Sequence, residues 1–400
     1  MESVMRVNQS QKDYRIEVIN TLQDVPATTW NQLLDRQSVP TPFMRHEYLG
    51  ALETSRSATP DTGWTPRVVT LHEADDPDHL LAACVVYFKN HSYGEYVFDW
   101  AWARAYQEHD LSYYPKAVIA VPFTPVPGSR LLAIDALRRE QLLTEVLSLC
   151  QKLEVSSLHL LFGSQEDLTA CQTLGMMQRD TVQFHWHNRR PQSYRDFDDF
   201  LDSLNQEKRK KIRQERRKVA QAGVKFRWIQ GRDIRPEDWD FFYRCYERTY
   251  LEHGNPPYLS REFFTIQAAM QPESWLLFIA ERDQQSIASS LIGLLQTPSS
   301  QVAYGRYWGA LEKIDCLHFE ACYYQPLDWC IAHGFDRFEG GAQGEHKMAR
   351  ALMPVVTPSA HWLAHPAFAD AVDRFLSRET EGISQYMDHL NERSPFKEGP

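Results

Sequence analysis

Ten residues from Phe338 to Lys347, FEGGAQGEHK, bring together a hydrophobic strand end, two glycines and a charged triplet. Gly340 and Gly341 permit a positive φ or a close backbone approach where a strand leaves a sheet. Glu345, His346 and Lys347 would then stand at the start of the next helix, near the carboxyl edge at which open α/β sheets bind ligands. A tight strand-to-helix turn followed by a solvated charged face accounts for the same pattern. A second dense patch, KNHSYGEYVFDWAWARAY, holds His91, Glu95 and Asp99 among aromatics with no simple period. Irregular polar and aromatic residues just past a buried strand suit a pocket wall. Core aromatics with satisfied polar tips suit them too.

These patches need elements to hold them. Leu80 to Phe88, LLAACVVYF, reads as a buried strand immediately before the second patch. Prolines at 115, 122, 125 and 127 exclude a helix there and predict a strand leading into an ordered loop. Asp135 to Leu153 has helical periodicity, and Leu158 to Phe162 and Val182 to His187 read as strands. From Asp196 a charged rod begins on which Phe197, Leu201, Leu204, Ile212 and Val219 form one narrow stripe, with Lys208 and Glu215 on it. Strands over 275–282, 287–296 and 301–308 follow, then a helix over 316–333, a strand over 337–340 and a helix over 345–352. Both halves run strand, helix, meander of strands, helix, strand, which predicts a duplicated fold of the α/β (α+β) class, with mixed central sheets flanked by helices. The expected division is a loose terminus over 1–13, a first domain over 14–190, a basic linker helix over 191–222, a second domain over 223–380 and a C-terminal tail over 381–400.

Four hundred residues, 43% hydrophobic and 24% charged, exceed the usual ceiling for one core and agree with two globular domains. The net charge of -10 disfavours general nucleic-acid affinity. Between Gln206 and Lys218, however, eight Lys or Arg stand against two Glu, so a segment of +6 is set in a remainder of -16. With Lys208, Lys211 and Arg213 this segment could clamp a polyanionic substrate, or it could be a solvated linker helix. Seven cysteines without paired close spacing argue for reduced thiols. His185 and His187 share one face of a strand, but no third ligand is evident and no metal is expected. No run approaches the length of a membrane helix, and the amino terminus lacks a secretory-type apolar core, so a cytoplasmic location is expected.

Several long stretches, in order, resemble one family. YGRYWG (304–309), LHFEACYYQ (317–325), FEGGAQGEHK (338–347) and TPSAHW (357–362) are similar to the FemAB-like group of N-acyltransferases of the GNAT superfamily. HSYGEYVFDWAWA (91–103), YYPK (113–116) and VPFTPVPGSRLL (121–132) resemble its first half, and RKKIRQERRKV (209–219) its basic helix. The resemblance spans roughly 40–380. It implies two tandem GNAT-like domains and transfer of an acyl or aminoacyl group to an amine of a peptide-like or cell-wall precursor acceptor.

Such a transfer needs a base for the ammonium proton and donors for the charge developing on the carbonyl oxygen, while positioning can replace a protein nucleophile. His346 is the leading base, since an imidazole titrates near neutral pH. Glu345 is the second candidate, and His318 and Glu320 could stand opposite His346. Lys347 suits a phosphate or carboxylate of the substrate. Tyr304, Arg306 and Tyr307 would line a strand facing the cleft, with His91, Glu95, Asp99 and His361 as further wall residues. Arg306 with Gly309 begins the turn that wraps pyrophosphate in acetyl-CoA-dependent relatives, but Leu311 stands where these carry a final Gly or Ala. Aminoacyl-tRNA and acyl-CoA therefore both stay open as donor, with no permanently bound cofactor expected. A non-catalytic module binding peptidoglycan fragments or RNA, and an acetyl-CoA-dependent N-acetyltransferase of a small amine or protein, are the alternatives. The oligomeric state is not readable.

Overall fold

The computed structural model describes residues 13–97, 99–342 and 344–397. The expected loose segment 1–13, apart from Asp13, lies outside them. The strands, in chain order, are β1 (Tyr14–Ile19), β2 (Trp64–Glu73), β3 (Leu80–Lys89), β4 (Lys116–Ile119), β5 (Leu132–Ala133), β6 (Ser157–Leu160), β7 (Met177–His187), β8 (Lys225–Gln230), β9 (Trp275–Arg282), β10 (Gln285–Thr297), β11 (Ser300–Ala310), β12 (Arg337–Ala342) and β13 (Met353–Leu363). The chain divides into two compact units, residues 1–181 with 357–384 and residues 182–356 with 385–400. No helix among the described residues is long and apolar enough to cross a membrane.

In the first unit the sheet order is β1-β2-β3-β4-β6-β13, with β5 on β3. Only β4 and β6 run parallel, and the helix Ala136–Lys152 lies between them in sequence. β3 is apolar along most of its length because both faces are covered, and Cys84, Val86, Leu142 and Val146 share one core. In the second unit the order is β7-β12-β11-β10-β9-β8. Again a single pair, β11 and β12, is parallel, and Gln325–Ala332 closes the helical segment between its strands. The core here joins Phe184 and Trp186 of β7 to Phe338 of β12, Leu276 and Phe278 of β9, and Leu327 and Ile331 of that helix. Each unit is thus an antiparallel meander with one parallel pair followed by one further antiparallel strand, the duplication that the order of elements predicts.

Several boundaries differ from the sequence reading. The first unit stops at Thr181 and resumes at Thr357, so its last strand is supplied by β13, which has no separate signal in the sequence. The rod that starts at Asp196 is two helices, Phe197–Asp202 and Gln206–Gln221. Asn205 interrupts it, because its side-chain oxygen accepts from the Lys208 N–H and caps the second helix. That second helix belongs to the second unit, where Ile212 and Val219 are buried. Where a tail was expected from 381, Pro366–Glu392 is one helix.

The helix Pro236–Glu252 packs closely on β11 at Gly309, where a Cβ would stand 1.9 Å from the Cys245 carbonyl oxygen. Backbone cannot retreat as a flexible side chain can. The substitution Gly309→Ala is expected to cost about 3 kcal/mol in chemical denaturation; an unchanged midpoint would show that the helix can move away.

Candidate functional site

β11 and β12 are in register only over Val302–Arg337, Ala303–Phe338 and Tyr304–Glu339. At the same level β11 carries a bulge, since Tyr307 pairs with Leu291 and Gly305 with Ile292, leaving Arg306 as the extra residue. Beyond that point a cavity of about 280 Å³ opens, with Arg306, Tyr307 and Trp308 on one side and Gly340, His346 and Lys347 on the other. A Cβ at Gly340 would meet the Leu352 side chain at 2.4 Å and the Phe184 carbonyl oxygen at 3.1 Å, and Gly344 has φ +106°. These two glycines let the chain turn close against the sheet, and His346 follows in a 3-10 turn, Glu345–Arg350, where a regular helix was expected.

A π turn supplies the remaining wall. The Gln325 N–H reaches the Glu320 carbonyl, five residues back. The next bond in that register would go to Ala321 from Pro326, which has no N–H. Ser290 on β10 takes its place, its Oγ donating to the Ala321 carbonyl at 2.6 Å. Widening the helix in this way brings His318, Cys322 and Tyr323 together on the cavity wall.

The electrostatics are one-sided. Among the described residues no carboxylate lines this cavity; the charged groups on its wall are Arg306 and Lys347. Lys347 is buried, donates to the Gly341 carbonyl at 3.0 Å, and burial lowers its pKa to about 8. Burial also lowers the pKa of His318 to about 4, helped by the positive charge of His346, Arg350 and Lys347. The same causes hold His346 below the ordinary imidazole value. Its Nε2 lies 3.3 Å from the Tyr323 hydroxyl. Burial pushes the Cys322 thiol far up, which disfavours a thiolate nucleophile.

Arg350 fixes the loop that bears His346. Its guanidinium donates to the His346 carbonyl at 2.7 Å and to both Glu215 oxygens at 2.9 Å, and it lies 3.5 Å over the Phe319 ring. Tyr324 also donates to Glu215. The basic helix therefore docks through a buried glutamate, and five of its eight cations have acidic partners: Lys208 with Glu207, Arg209 with Asp202, Arg213 with Asp198, Arg216 with Glu320 and Asp328, and Lys218 with Asp315.

The structure sorts the residues that the sequence singled out. His346, Lys347, His318, Arg306 and Tyr307 meet in the cavity. Tyr304 is buried in the strand and does not line it. Glu345 points away, accepting from Tyr386 Oη at 2.8 Å and facing Arg393. Glu320 lines a different cavity, with Arg213. Lys208 and Lys211 line neither. His91, Glu95, Asp99 and His361 belong to the first unit. There Lys116 donates to Glu95 at 2.7 Å and to Asp99, and Lys89 pairs with Glu95 at 3.2 Å while sitting over Trp64. His361 is buried against His159, with Nδ1 atoms 2.7 Å apart, and His91 faces the Thr62 carbonyl at 3.0 Å. Sequence reasoning missed Tyr323 and Cys322, which line the cavity, and Arg350, which holds its loop; beside the cavity it also passed over one buried acid. Glu339 is a buried carboxyl beside Arg337 at 2.9 Å, pushed up by burial to about 7. Its position between Phe338 and Gly340 at a strand end was its signal.

Residues 21–398 match the FemAB-like family, described as peptidoglycan biosynthesis/recognition. No curated protein matches the sequence. Among solved structures, FemX is similar with TM-score 0.51 at 10% identity, over 87% of this chain and 98% of that one. L-PGS from Bacillus licheniformis has TM-score 0.51 at 10% identity, over 88% and 97%. A tandem GNAT protein from the clavulanic acid biosynthesis pathway has TM-score 0.46 at 10% identity, over 88% and 99%. The likeness to FemX and L-PGS is one of fold.

Two measurements check the site. Because burial favours the neutral ring, the unfolded chain protonates His318 near pH 6.5 while the native chain does so only near 4; the stability held above 6.5 is lost as pH falls through that window. A histidine-resolved NMR titration should place the His318 midpoint near 4, and a midpoint of about 6.5 would refute the desolvated ring. Glu215→Ala should cost about 3–5 kcal/mol by leaving the Arg350 cation buried without its partner; a loss of about 1 kcal/mol or less in urea denaturation would show that the pair contributes no more than a surface one.

Proposed function

The chain belongs to the FemAB-like family, and from that premise we propose that it is a cytoplasmic N-acyltransferase with its reaction centre in the cavity between β11 and β12. The observation that carries this reading is the cavity's lining, two imidazoles held toward neutrality beside two cations, with no carboxylate among the described residues. An amine attacks the acyl carbonyl, a C–N bond forms, and the ester C–O bond of an aminoacyl-tRNA or the thioester C–S bond of an acyl-CoA breaks. His346 accepts the proton leaving the attacking nitrogen, and the departing oxygen or sulfur is reprotonated. Lys347 and Arg306 stabilise the negative charge on the carbonyl oxygen. Their positive field also disfavours an ammonium at the same place, so the acceptor arrives more readily as the neutral amine. The acceptor is an amine on a peptide-like or cell-wall precursor.

The test offers the purified protein a labelled aminoacyl-tRNA pool or labelled acetyl-CoA, with a UDP-linked muramyl pentapeptide as acceptor, and counts label in the acceptor. One donor should label it. His346→Ala should lower the rate about a hundredfold or more, with folding checked by circular dichroism. The wild-type rate should be level near neutrality and fall only at a pH below the ordinary imidazole value of about 6.5, because burial and neighbouring cations hold His346 below it. Binding of the acceptor without label from either donor would favour a binding module instead, and full activity in both His346→Ala and Lys347→Met would overturn the placement of the reaction in this cavity.

A further inference from the structure

On the reverse of the π turn the second unit holds another cavity, of about 700 Å³, between the helices Phe197–Asp202 and Gln206–Gln221, the start of β8 and the turn itself. Phe197, Leu201 and Phe226 give it an apolar floor. Its charged groups are unevenly engaged. Arg216 lies 4.5 Å over the Phe197 ring and donates to Glu320 Oε1 at 3.1 Å and Asp328 at 3.2 Å. Gln325 donates at 2.7 Å to that same Glu320 oxygen. The other oxygen, Oε2, has no hydrogen-bond partner among the described residues, although the side chain is only 5% exposed. A buried carboxylate oxygen without a donor is an unfavourable arrangement that a ligand N–H would relieve. At the rim, Arg217 is exposed and has no acidic partner among the described residues. A guanidinium free on this side suits a ligand carboxylate.

We propose that this second cavity binds a zwitterionic amino acid or short peptide, its ammonium at Glu320, its carboxylate at Arg217 and its carbon chain on Phe197 and Leu201. Neither half alone explains the lining. A phosphate-rich ligand would face Glu320 and Asp328, and a simple diamine would leave Arg217 without a partner. The site is separate from the cavity that holds His346 and stands whether or not that cavity performs transfer.

Isothermal titration of the full chain with L-alanyl-L-lysine, cadaverine and hexanoate tests it. The dipeptide should saturate a single site, with each half-ligand binding roughly tenfold or more weakly. Glu320→Gln should weaken the dipeptide and cadaverine roughly tenfold and leave hexanoate unchanged. Arg217→Gln should weaken the dipeptide and hexanoate and leave cadaverine unchanged. No saturable heat from the dipeptide up to about 10 mM, or wild-type affinity in both variants, would overturn the assignment. If Glu320→Gln fails to fold, the exposed Arg217→Gln variant decides the matter by its discrimination between hexanoate and cadaverine.

Discussion

A single buried guanidinium holds the site together. Arg350 is 3% exposed and binds backbone, carboxylate and an aromatic face at once. Each partner comes from a different element: His346 from the loop after β12, Glu215 from the basic helix and Phe319 from the segment before the π turn. A charge placed so deep is tolerated only with its partners in place, so the three elements are constrained together. The His346 backbone is held by that constraint as well as by the glycine turn before it, and its ring faces the Tyr323 hydroxyl.

The two units show how one topology gives two outcomes. In the second unit the parallel pair parts beyond Tyr304 and Glu339, and a cavity fills the gap. In the first, the region beyond β4 and β6 is closed by its own chain. The Leu161 N–H donates to the Ile119 carbonyl at 3.0 Å, the Gly128 N–H to the Phe162 carbonyl at 3.0 Å, and Arg130 to the Leu161 carbonyl at 3.1 Å. The proline-rich segment after β4 therefore acts as a plug, its residues from Val121 to Val126 buried. Its prolines suit that place, since they bring no N–H that would need a partner.

Periodicity made most elements legible, because alternation and helical spacing depend on local burial. β9 matches the expected 275–282 residue for residue, and the β12 glycine turn leads to a cavity lined by His346 and Lys347. The misses have physical causes too. Asn205 breaks a stripe that a wheel projection treats as continuous. β13 carries prolines and polar residues, MPVVTPSAHWL, and is a strand because β6 pairs with it through Ala360–Leu363. Glu95 and Asp99 look like pocket acids because their spacing says nothing of Lys89 and Lys116, one upstream and one downstream of them. The ion pairs that decide their role are long-range, and no local pattern reveals them.

The same reasoning bears on the basic helix. Counted as a sequence it is a +6 segment, yet five of its cations face acids on the helix itself, on the preceding short helix, on the π segment or at Asp315, and of its cations only Lys210, Lys211 and Arg217 lack an acidic partner among the described residues. Exposed pairs are screened within about 8–10 Å at ordinary ionic strength. The helix therefore acts on its surroundings chiefly through short-range contacts: Glu215 inward to Arg350 and Arg216 across to Glu320. Its contribution to the site is to hold Arg350, and through it His346, in place, and a sequence charge count cannot distinguish that task from attraction of a polyanion.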